Sequence, residues 1–124
     1  ITKKELDVVS DLIKDVVFEQ KQFQDSIQDV KTDDYVYLDP PYAPEKTTSF
    51  VTYSKCGFDL KCHEKLFEEI KKLNEKSIKF TMSNAKVELV VNSFKDYKLD
   101  NIDVRRAINS KKPGSKTKEV LIYN

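Results

Sequence analysis

No stretch of the chain approaches the roughly 20 consecutive apolar residues that a membrane-spanning helix needs, so no such helix is expected within it. The start shows no secretory signal pattern, and its first residue is Ile1 rather than Met, which predicts a fragment or a processed chain. Two cysteines and one histidine are too few for a disulfide framework. Together with the lysine-rich composition they point to a reducing compartment: the cytoplasm, or the interior of a host cell for a viral or phage protein. No repeat and no low-complexity tract interrupts the chain. What is present is 124 residues, 39% hydrophobic and 35% charged, enough for one domain with a modest core.

Acidic residues are missing from one place in particular. From Arg105 to Lys118 there are six basic residues (Arg105, Arg106, Lys111, Lys112, Lys116, Lys118) and no acid, on a chain whose net charge is only +1. A local basic loop on a near-neutral protein is the pattern of a phosphate-contacting element, and equally that of a solvated lysine-rich loop.

Along the chain, Thr2 to Glu5 has capping-box spacing, and Leu6, Val9, Ile13 and Val16 follow at helical intervals. Val16 to Gln20 is open to two readings, a continued helix or a short strand. Phe23, Ile27 and Val30 predict a short helix. Tyr35 to Asp39 (YVYLD) predicts a strand, and its near-continuous hydrophobic character predicts burial on both faces, as in a parallel sheet. A long proline- and threonine-containing loop runs from Pro40 to Gly57. Asp59 then has the chemistry to cap a helix carrying Leu66, Phe67, Ile70 and Leu73. Ser77 to Ser83 predicts a strand, and Asn84 a cap for a helix with Val87, Val90, Val91 and Phe94 on one face. Tyr97 to Val104 and Glu119 to Asn124 predict two final strands, antiparallel because a loop alone joins them. The strand–helix–strand order makes the domain α/β.

The long loop begins where the first strand ends, at the residues DPPY. Open α/β sheets bind ligands at the carboxyl ends of their strands. Asp39 offers a carboxylate that only accepts hydrogen bonds. Pro40 and Pro41 restrict the backbone and add carbonyls without competing donors. Tyr42 offers a flat ring. This set suits a planar ligand with an exocyclic amine: the NH2 group donates to Asp39 and to a proline-segment carbonyl, and the ring stacks on Tyr42. Two acceptors placed so orient a weakly nucleophilic amine toward an electrophilic methyl and favour the positive charge that develops on nitrogen. A strand end closed by a turn is the plain structural alternative.

DPPY, the spaced Thr47, Phe50, Tyr53 and Phe58, the Ser-Asn that ends FTMSN (Phe80 to Asn84), VRRAINS (Val104 to Ser110) and EVLIYN resemble, in that order, the Dam-like (D12 class) adenine-specific DNA methyltransferases. The resemblance implies a Rossmann-like S-adenosylmethionine-dependent methyltransferase fold, with adenine in double-stranded DNA as the acceptor. It implies that Asp39, Pro40, Pro41 and Tyr42 are the catalytic clamp on a flipped base. Phe50 and Tyr53 would border the substrate, and Phe18 and Asp39 the donor. Arg105, Arg106, Lys111, Lys112 and Lys116 would contact DNA. The family's glycine-containing F-x-G-x-G donor motif is absent, for the only glycines are Gly57 and Gly114. Residues 1–124 are therefore expected to form a single domain, the C-terminal catalytic part of a methyltransferase. Its fold would be incomplete, since the N-terminal strands carrying the donor motif and most of a target-recognition region are missing. Its DPPY strand would expose an apolar edge, and it would bind the donor weakly and turn over little alone. It would be completed by the absent part or by another chain. The same clamp suits an amine of RNA or a glutamine amide of a protein. The non-enzymatic reading is an inactive remnant, or a partner-dependent subunit that binds nucleic acid without turnover.

Cys56, Cys62 and His63 do not make up a structural zinc site, and no metal is expected. His63 is not expected to act as a general base, because no neighbour in the sequence would orient it.

Overall fold

A computed structural model of the chain describes residues 1–44, 57–105 and 116–124, with the backbone alone for Arg105, Lys116 and Thr117. Helix α1 (Lys3–Leu12) starts at the capping box expected of it: the Thr2 hydroxyl accepts from the Glu5 N–H and the Glu5 carboxylate accepts from the Thr2 N–H at 2.6 Å. That backbone N–H also holds the Glu5 carboxyl below its usual range. No residue of α1 is buried. Val16 to Gln20 form neither helix nor strand. Short helix α2 (Phe23–Gln28) buries Ile27 and leans Phe23 on the core.

Strand β1 (Tyr35–Leu38) leads through the DPPY segment to α3 (Leu60–Glu75), and α3 leads to β2 (Lys79–Ala85). The Asp59 carboxylate accepts from the Cys62 N–H at 2.9 Å and caps α3. His63, Leu66, Phe67, Ile70 and Leu73 form its buried stripe, at the three- and four-residue spacing of one helix face. The helix ends on Ser77, whose φ of 58° is left-handed. The N–H groups of Ser77 and Ile78 turn back to the carbonyls of Asn74 and Leu73, both at 2.9 Å, which is the Schellman closure. Short helix α4 (Glu88–Ser93) and strands β3 (Lys98–Arg105) and β4 (Lys116–Tyr123) complete the order.

The sheet runs β1-β2-β4-β3. β1 and β2 are parallel, with α3 as their crossover, and β4 is antiparallel to both β2 and β3. The last two strands thus pair as the sequence predicts. Phe80, Met82, Val120 and Ile122 on one sheet face join Leu66, Ile70, Leu73, Val90 and Phe94 in the core. Asn124 fastens the end of β4 to the α3–β2 turn, accepting from Phe80 N–H at 3.2 Å and donating to the Ile78 carbonyl at 2.9 Å.

Two further expectations need correction. β1 is not buried on both faces: it is an outer strand of the sheet, and Tyr35 and Tyr37 are 64% and 62% exposed. Their hydroxyls meet Thr81 and Ser83 of β2. Val36 and Leu38 alone face the core, so near-continuous hydrophobicity marked two unlike faces, one apolar and one of tyrosines. Asn84 does not cap α4 either. It is the penultimate residue of β2, and Val87 takes the cap position without a side-chain hydrogen bond. No helix among the described residues is long and apolar enough to cross a membrane.

Candidate active site

Parallel pairing of β1 with β2 brings their carboxyl ends to one rim of the sheet, where antiparallel β4 begins. Leu38 pairs with Met82, and Ala85 with Glu119. The DPPY segment leaves β1 at this rim, and every neighbouring element fastens it. The Ser83 hydroxyl donates to Asp39 Oδ1 at 2.7 Å. The Tyr42 hydroxyl donates to Glu119 Oε2 at 3.1 Å. Asn84 Oδ1 accepts the Ala43 N–H at 3.0 Å and the Ala85 N–H at 2.8 Å. The His63 ring places Nε2 at 3.1 Å from the Pro41 carbonyl and Nδ1 at 3.0 Å from the Asp59 carbonyl. It lies edge-on to Phe58, with ring centres 4.7 Å apart.

Asp39 is exposed and joins no ion pair among the described residues. Pro40 is half-buried and Pro41 exposed. Tyr42 is half-buried against the core. That burial raises its phenol pKa above the ordinary value, opposed by Ser83 and reinforced by the Glu119 carboxylate. The rim therefore presents an accessible carboxylate, a proline-stiffened backbone and an anchored aromatic.

Of the other anticipated residues, Phe18 is 74% exposed beyond α1, and no hydrogen bond or ring contact among the described residues joins it to Asp39. Arg105 and Lys116 face each other in the β3–β4 register, at the Ala85–Glu119 end of β4. Phe50, Tyr53, Arg106, Lys111 and Lys112 lie outside the described residues. Four residues were not anticipated at the site: Ser83, Asn84, His63 and Glu119. The Ser-Asn ending of FTMSN was a signal for two of them. His63 carries none, because its hydrogen-bond partners among the described residues are backbone carbonyls, one of them 22 residues away. An open polar cavity of about 640 Å³ lies at the opposite end of the sheet, lined by Lys71, Asn74, Tyr97, Lys98 and Asn124 among others, and includes no DPPY residue.

A model of the D12 class N6 adenine-specific DNA methyltransferase family matches residues 1–108. The type II methyltransferase M1.LlaDCHI of Lactococcus lactis subsp. cremoris is 30% identical over 105 residues, covering 82% of this chain and 37% of that protein. The type II methyltransferase M.MjaIII of Methanocaldococcus jannaschii is 32% identical over 122 residues, covering 94% of this chain and 42% of that protein. The chain spans about two fifths of the length of these relatives. With most of its residues matched, the chain belongs to the D12 class N6 adenine-specific DNA methyltransferase family.

Proposed function

We propose that the chain is the base-binding part of an S-adenosylmethionine-dependent methyltransferase acting on the exocyclic amino group of adenine in double-stranded DNA. The observation that carries this reading is the accessible Asp39 carboxylate at the carboxyl end of β1, two residues before the anchored Pro41 and three before Tyr42, in a chain of this family. Adenine is turned out of the duplex, stacks on Tyr42, and donates its two amino hydrogens to Asp39 and the Pro40 carbonyl. Holding both hydrogens fixes the direction of the nitrogen lone pair, and the carboxylate favours the charge that builds on nitrogen. Unstacking costs a few kcal/mol, offset in part by the tyrosine ring. Arg105, Arg106, Lys111, Lys112 and Lys116 contact phosphates. Phe50 and Tyr53 flank the base.

S-adenosylmethionine supplies an electrophilic methyl group when bound. The described residues fit it only in part: Asp39 stands at the rim, but Phe18 is exposed, and no glycine-rich turn joins a strand to a helix. The Rossmann-like sheet is accordingly read as incomplete, residues 1–124 as one catalytic C-terminal domain, and the outer edge of β1 as the place where a further strand joins. The relatives' names as type II methyltransferases favour a role in restriction–modification. A second reading, a partner-dependent subunit without turnover of its own, is favoured by the exposed Tyr35 and Tyr37 on that outer strand.

The test is transfer of labelled methyl from S-adenosylmethionine to adenine in duplex DNA. It compares the chain alone with the chain fused behind the N-terminal part of the Methanocaldococcus relative. The fusion is expected to methylate adenine and the chain alone to do so weakly or not at all. Asp39→Ala in the fusion should lower the rate by about 100-fold or more while leaving DNA affinity in place. A fusion that binds donor and DNA but leaves adenine unmethylated, or whose rate ignores Asp39→Ala, overturns the reading.

A further inference from the structure

We propose that Ser83 and His63 are positioning residues that select which lone pairs of the DPPY segment meet the amine, leaving Asp39 Oδ2 and the Pro40 carbonyl as the acceptor pair. This rests on the reading of the rim as an amine clamp. An NH2 group has two donors in a fixed plane, and the segment Asp39–Pro41 offers more acceptors than it can use: two carboxylate oxygens and a run of carbonyls. Something must choose among them.

Ser83 makes the first choice. Its hydroxyl, on a residue only 6% exposed, donates to Asp39 Oδ1 at 2.7 Å. A carboxylate turns about a broad, two-fold torsion, and this bond stops the turning and occupies one oxygen. Oδ2 remains for a ligand. His63 makes the second choice. The residue is 1% exposed, its ring held among Phe58, Phe67 and the Asp59 carbonyl, and its Nε2 meets the Pro41 carbonyl at 3.1 Å. Asp39, Pro40 and Ala43 each precede a proline and are held to extended backbone. In the polyproline-like path that two consecutive prolines favour, neighbouring carbonyls are turned about a third of a turn from one another. With the Pro41 carbonyl engaged by His63 on α3, that of Pro40 is turned to a different direction and left for a ligand. No hydrogen bond to Pro40 is formed among the described residues. Asn84, fully buried, holds the exit of the segment by accepting the Ala43 N–H. The backbone between two anchors therefore has little freedom to exchange one carbonyl for the other.

The test asks whether these residues govern recognition of the amine itself. The isotope-labelled chain is titrated by NMR with adenosine and with purine riboside, which differs only in lacking the 6-amino group. The unaltered chain should prefer adenosine. Ser83→Ala and His63→Leu should each shrink that preference by about fivefold, the worth of one net hydrogen bond, or to parity. Ser83→Thr and His63→Gln, which keep a donor, should retain it. A lost preference with an unchanged unfolding midpoint separates positioning from general destabilisation. If His63→Leu does not fold, Ser83→Ala against Ser83→Thr decides. An undiminished preference in Ser83→Ala and His63→Leu overturns the inference. No preference for adenosine in the unaltered chain instead defeats the amine clamp on which it rests.

Discussion

Tyr42 serves the proposed base platform and the fold with one side chain. Its ring leans on the core, and its hydroxyl reaches Glu119 on β4. Burial, with the carboxylate beside it, raises the pKa of the phenol. A folded value above the unfolded one means that the native state keeps its proton at a pH where the unfolded chain has lost it. The stability this brings is complete below the ordinary tyrosine range and is lost as pH climbs through the folded value. Tyr97, through burial, and Tyr123, through its hydrogen bond to Asp100, are raised in the same direction. The unfolding midpoint should therefore decline above about pH 10. Tyr42→Phe should make the decline shallower, as thermal melts across that range would reveal. Ser77 poses a separate question of strain. It holds φ 58° at the end of α3 with a side chain that disfavours this region. Ser77→Gly should stabilise the chain by about 1 kcal/mol, measurable by urea denaturation. An unchanged midpoint would mean that the Schellman closure already compensates the strain.

Among the elements, α1 and α3 differ in what supports them. α3 buries five residues along its stripe and is capped by Asp59, whose carboxyl pKa is lowered chiefly by the Cys62 N–H. α1 has a complete capping box but buries nothing over its 10 residues, and Leu6, Val9 and Leu12 are exposed. A helix of that length without tertiary packing is marginal in water. Amide exchange should thus be far faster over residues 3–12 than at the centre of α3, and equal protection in both would contradict the argument. Both helices were readable from the chain, because capping chemistry and three- and four-residue spacing are local. The strand at Tyr35 was readable as well, but its environment was not: whether a tyrosine faces core or solvent depends on whether another layer covers it. Asn84 shows the same limit more sharply. Asparagine before an apolar run reads as a cap, yet its carbonyl oxygen serves Ala43, 41 residues away, and no local rule reports such a partner.

At the scale of the molecule, the sheet has one covered face and one bearing Tyr35, Tyr37, Thr81 and Tyr123, and β1 lies at its edge. Among the described residues, exposed tyrosines on one face and an edge strand beside the proposed clamp are what a base-binding part would present before the donor-binding part is added. Calorimetry should find S-adenosylmethionine binding to the chain alone weak. Fusion to the N-terminal part of a relative should tighten it by at least about tenfold. Tight binding to the isolated chain would place a complete donor site within residues 1–124 and refute the division proposed.

Neighbouring residues are enough to read the α/β class, the capped helices, the antiparallel final pair and the DPPY segment at a strand end, because each depends on local chemistry. The surroundings of that segment come from long-range packing: Ser83 on Asp39, His63 on the Pro41 carbonyl, Asn84 on Ala43 and Glu119 on Tyr42. Those contacts come from strands and a helix brought to one rim by sheet pairing. The hydrogen bonds that set a site's geometry join residues far apart in the chain, and their partners exist only once the sheet has formed.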